Sequence, residues 1–413
     1  MNVFVIAFAC EPNRTSEPGV GWNVVREMSK RHRLIVVTRA NNKESVMSAW
    51  RCENVDWLFF DLPRWLCWLK KRIPYGSQIY QEFWNRAVAK RFAEKMRSCD
   101  IVHQLTFGAA FFTPWAAQFA KKFVWGPLGG GDKPIPRAFT KRMGVLAQIK
   151  EWTYGFISQV ACQGTFWSRG LRSKVDAVVF RTKEFSKRMN LRDDADVSVI
   201  CETAYTKSIV PRQYDIAKRP LRVMMVGRLI PHKAPDFAVR AFGRFISNGG
   251  EGELHIYGDG PLRSRLEKLS MSVLNVGAQR RSGTVIFHGN VPNGEVLKAL
   301  DSADVMLHLS FREGGSWSML EAMAHGLPVV CQRASGMDDM VTDDCGFKIT
   351  ASNPDSLIEE AAGRLMEYYS SRDLLRAHGV EAQKRVASIY RWENVSDQID
   401  GVYSRITRGG NAK

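Results

Sequence analysis

Leu221-Arg222-Val223-Met224-Met225-Val226-Gly227-Arg228-Leu229-Ile230-Pro231-His232-Lys233 reads as an apolar strand, Leu221–Val226, that stops at a glycine and passes into a short basic loop. Behind it, Pro235–Ile246 has apolar residues at helical spacing and a proline where a helix starts. Strand, tight loop and helix in this order are one β/α unit. The unit then recurs. Further strands are expected at Glu253–Tyr257, Thr284–His288, Val305–Leu309 and Leu327–Cys331, with helices at Leu262–Val273 and Gly294–Ser302 between them. Strands separated by amphipathic helices build parallel, doubly wound sheets.

Upstream, Thr203–Pro220 is polar, carries two prolines and reads as a linker. Before it lies a second β/α series. Its strands are expected at Val3–Cys10, Leu34–Thr38, Asp100–Leu105, Phe123–Trp125, Ala177–Arg181 and Val197–Cys201, with a helix over Gly19–Arg31. The chain therefore reads as two Rossmann-like α/β domains, 1–205 and 206–385. A last amphipathic segment, 386–413, contains a helical pattern over Trp392–Ile406.

The chain has 413 residues, 45% of them hydrophobic and 24% charged, enough apolar material for two cores. A formal net charge of +17 points to an anionic partner. No block of five or six consecutive basic residues occurs, so a nucleic-acid-binding tail is not supported. The eight cysteines are scattered without a C-x-x-C pair, the usage of a reducing, cytoplasmic compartment. No run of 18 apolar residues is present. The apolar stretch Val3–Cys10 has no basic segment before it, and reads as a strand rather than a signal peptide.

Ten of the twelve tryptophans precede residue 170. In Phe59–Phe92, Trp65, Trp68 and Trp84 are interleaved with Arg64, Lys70, Lys71, Arg72, Arg86, Lys90 and Arg91. In Arg137–Lys174, Trp152, Phe156, Phe166 and Trp167 alternate with Lys141, Arg142, Lys150, Arg169, Arg172 and Lys174. Such a pattern fits peripheral contact with an anionic membrane. It equally fits helices whose aromatics are core and whose charges are solvated.

The candidate chemistry gathers at strand ends, where open α/β sheets bind ligands. Arg228 and Lys233 follow the quoted strand, and a guanidinium beside a mobile ammonium suits a diphosphate. Gly258 and Asp259 form a tight turn before the next helix. Glu313 follows Val305–Leu309, and Glu321 lies eight residues on, inside a helix expected over Trp317–His325. Gly314, Gly315, Ser316 and Trp317 between them place backbone amides at that helix start, which favours a phosphate. Two carboxylates nearby suit sugar hydroxyls. Taken singly, each of these residues also reads as turn or solvated surface.

Together they resemble the retaining glycosyltransferases of family four. The resemblance rests on Glu313-x7-Glu321 after the Gly227-Arg228-Leu229-x3-Lys233 loop and the Tyr257-Gly258-Asp259-Gly260-Pro261 turn, on Phe287–Pro292, and on Leu320–Val330. It is dense over about 221–335. It continues more thinly in Ser16–Trp22, Trp125–Gly131 and Tyr390–Glu393.

The resemblance implies the GT-B fold, two facing Rossmann-like domains with a cleft between them, the last helix crossing back to the first. It implies a nucleoside-diphosphate sugar donor held by the second domain and a glycan or lipid-linked acceptor on the first, without a metal or other cofactor. By position, Arg228 and Lys233 hold the diphosphate, Glu313 the transferred sugar and Glu321 the ribose. The Val291 backbone meets the base, and Gly19 and Gly21 approach the phosphates. His103, at the end of Asp100–Leu105, is the candidate catalytic histidine.

Three positions depart from the family pattern. Gly315 and Ser316 stand where an aromatic and a glycine are usual, and Ala234 where a glycine is usual. Asp194-Ala195-Asp196 matches a D-x-D metal pattern but lies in a charged stretch read as surface loop. The expected role is sugar transfer in cell-envelope or exopolysaccharide synthesis, on the inner face of the membrane. The competing readings are a nucleotide-sugar epimerase, which needs no acceptor, and a non-catalytic nucleotide-sugar-binding protein. A dehydrogenase is disfavoured, since Gly19-Val20-Gly21 lacks the third glycine of G-x-G-x-x-G.

Overall fold

The structure, a computed structural model, describes residues 1–14, 16–70, 72, 76–141, 143–164, 166–215, 219–274 and 283–408. Lys71, Arg142, positions 216–218 of the expected linker and positions 409–413 lie outside the described residues, as do the side chains of Arg64, Phe166 and Trp167.

The chain divides into two compact units. The first comprises Met1–Asp132, Phe156–Thr203 and Trp392–Lys413; the second comprises Lys133–Gly155 and Ala204–Arg391. Seven parallel strands form the first sheet: β1 Asn2–Ile6, β2 Arg33–Thr38, β3 Val55–Phe59, β4 Ile101–Gln104, β5 Phe123–Leu128, β6 Ala177–Phe180 and β7 Asp196–Val199. Their order is β3-β2-β1-β4-β5-β6-β7. The second sheet has six: β8 Leu221–Val226, β9 Gly252–Tyr257, β10 Gly283–Gly289, β11 Val305–His308, β12 Val329–Gln332 and β13 Gly346–Ile349, in the order β10-β9-β8-β11-β12-β13.

The strands are apolar because helices cover both faces of a parallel sheet. Phe4, Trp84, Phe123 and Trp125 fill the first core, and Phe242, Phe245, Leu307 and Tyr368 the second. In each sheet the strand order reverses once, between β1 and β4 and between β8 and β11. At such a reversal the crossovers leave on opposite faces and open a crevice at the carboxyl ends.

Strands β3 and β13 were not anticipated. Both are edge strands with several half-buried positions, which weakens the apolar signal. The expected strand Val3–Cys10 ends at Ile6, and Phe8 and Ala9 instead line a cavity.

A contiguous first domain of 1–205 places Lys133–Gly155 with the first sheet, but this segment packs in the second unit. Phe139 stacks edge-on against Phe237 and Phe311, with centroids at 5.8 and 5.1 Å. Glu151 receives both guanidinium nitrogens of Arg312, at 2.8 and 3.0 Å, and the amide of Ile135 at 2.7 Å.

The terminal helix Trp392–Arg408 packs in the first unit. Ser396 meets Met28, Arg405 clamps Asp196 at 2.6 and 2.9 Å, and Tyr403 is buried. Asp196 therefore opens β7 as an ion-paired residue rather than lying in a free surface loop. All eight cysteines are free thiols. Among the described residues no helix is long and apolar enough to cross a membrane.

The basic, aromatic stretches divide between their two readings. Trp84 is fully buried and donates to the Phe60 carbonyl at 2.9 Å, whereas Trp65, Trp68 and Trp152 are exposed.

Candidate functional site

In the second unit, β8 ends at Val226 and the chain turns at Gly227. Gly258 makes this turn possible. Its φ is +135°, and a Cβ there would lie 2.0 Å from the Gly227 carbonyl oxygen. The two loops therefore pack backbone on backbone. Between them and the end of β10 lies a cavity of about 450 Å³, lined by Gly227, Arg228, Tyr257, Gly258, Asp259, Asn290 and Val291 among others. Tyr257 forms an aromatic wall, stacked on His288 at 4.0 Å and 3°. The Arg228 side chain is exposed and makes no hydrogen bond or ion pair among the described residues. A cation without a protein partner beside an apolar and backbone-lined cavity suits a phosphorylated ligand.

Lys233 follows on a single turn, Pro231–Lys233, and Ala234 then adopts a left-handed conformation, φ 52° and ψ 42°. That geometry explains why the family pattern has glycine here. A side chain costs about 1–2 kcal/mol in this region. Ala234 is fully buried, and its carbonyl accepts from Phe237 and Ala238 at the start of the helix Pro235–Ser247.

Lys233 pairs with Glu313, and His308 at the end of β11 bonds the same carboxylate oxygen at 3.0 Å. The Glu313 side chain is only 9% exposed. Burial pushes its carboxyl up. The hydrogen bond and charge of His308, with the Lys233 ammonium, outweigh that and bring it down to about 2. Glu313 is therefore a fixed anion at any physiological pH.

Its backbone is held as tightly. Ser335 and the Gly336 amide both donate to the Glu313 carbonyl at 2.7 Å, and a Cβ on Gly336 would sit 1.8 Å from the Gly314 carbonyl oxygen. Gly314 and Gly315 then lead to Ser316, which caps the helix Trp317–Ala324 by accepting from Met319 at 3.4 Å. With φ −86°, Ser316 needs no glycine, and the cap gives the departure from the family pattern a local reason. Glu321, on the buried side of that helix, accepts from Asn293 at 3.1 Å. Burial raises its carboxyl, against that hydrogen bond and the charges of His325 and Lys207.

The second unit thus brings Arg228, Gly258, Asp259 and Val291 to one cavity, and Lys233 and Glu313 into one ion pair. Glu321 lies outside that lining. Sequence reasoning missed His308, Arg312, Asn293, Ser335 and Gly336. His308 closes a buried strand and Arg312 adjoins Glu313, so position offered a signal for those two. Ser335 and Gly336 reach the site only through tertiary packing.

In the first unit, a cavity of about 460 Å³ opens beyond β1 and β4. Phe8, Phe107 and Phe111 give it apolar walls, and Glu11, Arg39, Gln78 and Gln81 polar ones. Arg181 at its edge pairs with Glu17 and, at 2.5 Å, with Glu202. Burial, opposed by Arg181, pushes Glu202 up to about 8.

Gly19 and Gly21 are buried in the helix Ser16–Met28, where a Cβ would meet the Arg14 and Ala9 carbonyl oxygens at 2.1 and 2.3 Å. Close backbone packing is sufficient reason for both glycines.

The His103 ring is buried, with one nitrogen on the Tyr403 hydroxyl at 2.6 Å and the other on the Gly126 carbonyl at 2.7 Å. Through these bonds it ties the terminal helix to the sheet. Burial lowers it from 6.5 to about 4, against the Gly126 hydrogen bond. The unfolded chain takes up this proton first as pH falls. The stabilisation is complete above about pH 6.5 and is lost toward pH 4, an effect of about 3 kcal/mol. Melting of the first unit followed over this range should show it, and His103→Gln should flatten the acid limb. An unchanged limb in the variant would remove His103 as the cause.

Residues 207–381 match the family model of glycosyl transferases group 1. A D-inositol 3-phosphate glycosyltransferase of Acidothermus cellulolyticus is 31% identical over 189 residues, 44% of this chain and 40% of the relative. The chain spans about half the length of the curated relatives it matches. Among solved structures, sucrose-phosphate synthase from Thermosynechococcus elongatus superposes with a TM-score of 0.64 at 14% identity, covering 99% of both chains. An Anabaena protein in complex with UDP gives 0.60 at 14%, over 98% of this chain and 99% of that one. At these identities the likeness shows the fold, which is GT-B.

Proposed function

We propose, on the premise that this chain belongs to the group 1 glycosyltransferases through its second unit, that it transfers a sugar from a nucleoside-diphosphate donor to a glycan or lipid-linked acceptor with retention at the anomeric carbon. The observation that carries this reading is Glu313: a buried carboxylate, held between Lys233 and His308 at the carboxyl end of a switch-point strand. Such an anion is costly to bury and is positioned for a ligand that can replace the contacts of Lys233.

In this reading the donor base lies against Val291 and Tyr257, and Glu321 holds the ribose. The diphosphate meets Arg228, Lys233 and the amides of Gly314, Gly315 and Ser316. The bond from the anomeric carbon to the diphosphate oxygen breaks, and the bond to the acceptor oxygen forms on the same face. The acceptor proton passes to the departing phosphate, and the cations stabilise the charge that develops there. Those cations do the work a metal does elsewhere. The aromatic and polar cavity of the first unit suits an acceptor sugar, with Phe107 and Phe111 under its ring and Gln78 and Gln81 on its hydroxyls. Cell-envelope or exopolysaccharide synthesis at the cytoplasmic face is the setting that fits a basic protein with such an acceptor.

A thermal-shift screen of nucleoside diphosphates and their sugars tests the donor site. A ligand at 100-fold excess over its Kd stabilises by about 2.7 kcal/mol. One base should raise the melting temperature strongly, and Glu321→Ala should abolish that rise without unfolding the chain. If no nucleotide stabilises the protein, the donor reading fails. Product analysis with the stabilising sugar nucleotide then reads the anomeric configuration.

A further inference from the structure

The helix Val145–Gln163 exposes Val145, Leu146, Ile149 and Trp152 to 71, 76, 55 and 72%. Their spacing places them on one face over two turns. Single exposed apolar residues are ordinary, but a contiguous group with a bare indole marks an interaction surface. The segment that carries it is predominantly basic. Between residues 133 and 155 the sequence has five basic residues, Lys133, Arg137, Lys141, Arg142 and Lys150, and one acid, Glu151. Glu151 is turned inward and neutralised by Arg312. Arg137, Lys141 and Lys150 are exposed.

We propose that this helix face docks on an anionic phospholipid surface, with Leu146, Ile149 and Trp152 in the interfacial layer and Lys141 and Lys150 on phosphate headgroups. Headgroup phosphates above acyl carbon supply both complements at once, which is why indoles and basic residues meet at membrane interfaces. The first unit repeats the chemistry separately. Trp65 and Trp68 are exposed there, and the Arg72 guanidinium lies 3.7 Å over the Trp68 ring. Docking needs neither a donor nor transfer, so it stands or falls apart from the activity proposed above.

Sedimentation of the full chain with vesicles tests it, using phosphatidylcholine alone and phosphatidylcholine mixed with phosphatidylglycerol. The protein should pellet with the anionic vesicles and be released by salt. The double variant Leu146→Ser/Trp152→Ser should lower the partition coefficient about tenfold or more. Lys141→Glu/Lys150→Glu should remove the preference for anionic vesicles. All four positions are exposed, so both variants should keep the melting temperature of the parent. Equal binding to both vesicles, no binding, or variants that bind like the parent would overturn the proposal. So would a dimer in vesicle-free solution that becomes monomeric in Leu146→Ser/Trp152→Ser, which assigns the face to a second copy of the chain.

Discussion

Lys233→Ala is expected to lower the rate of sugar transfer by about two to three orders of magnitude, roughly 3–4 kcal/mol of barrier. Two losses combine. The departing diphosphate loses an ammonium that is positioned before the donor arrives. Glu313, only 9% exposed, loses the ammonium and keeps only the His308 ring as a side-chain partner. Its carboxyl then moves up from about 2, because burial is opposed by His308 alone. The wild-type contribution of this carboxylate is complete above about pH 4.5 and is lost as pH falls to about 2. The variant should lose it at higher pH. Lys233→Arg retains the charge but changes its shape, and should recover only part of the rate. The measurement is initial-rate kinetics with the nucleotide sugar picked out by thermal shift. A Lys233→Ala variant with full activity would rule out the proposed role of this residue.

Glu151→Ala should strongly destabilise the second unit. The Glu151 and Arg312 side chains are 10% and 15% exposed and bonded by two hydrogen bonds. Arg312 also lies 3.8 Å over the Tyr154 ring. Removing one partner leaves a largely buried cation, which costs about 3–5 kcal/mol, against about 1 kcal/mol or less for a solvated pair. The Ile135 amide loses its acceptor as well. For a unit of this size the melting temperature should drop by roughly 6–20 °C. Glu151→Leu with Arg312→Met should recover much of the loss, because it removes both charges. A drop of a degree or two in Glu151→Ala would show that water screens the pair. Arg312 adjoins Glu313, so the single variant should also weaken transfer.

Much of this protein could be read from its sequence because its signals are local. Leu221, Val223, Met224 and Met225 are buried within a parallel sheet, so apart from Arg222 the strand is apolar and its limits are clear. Gly258 and Gly227 mark turns that need conformations or approaches a Cβ forbids. The order of Arg228, Lys233, Glu313 and Glu321 along the chain is legible as a motif, and it is the basis of the proposed donor site. Ser316 was visible as a departure from the family pattern, but its service as a helix cap was not.

What needed the tertiary structure depends on residues far apart in the chain. The reach of Glu151 to Arg312, across 161 positions, moves Lys133–Gly155 into the second unit. Tyr403 is 300 positions from His103, and their hydrogen bond ties the terminal helix to the first sheet. Glu313 is anchored by Ser335 and Gly336, whose importance no local pattern announces. The same holds for the tryptophans. Trp84 and Trp152 sit in similar basic, aromatic surroundings in the sequence, yet one is core and the other is bare. Local propensity and periodicity act over a few residues, so they specify strands, turns and the order of a motif. Burial and partnership are decided only when distant segments pack together, because desolvation and charge pairing belong to the folded surroundings rather than to the residue.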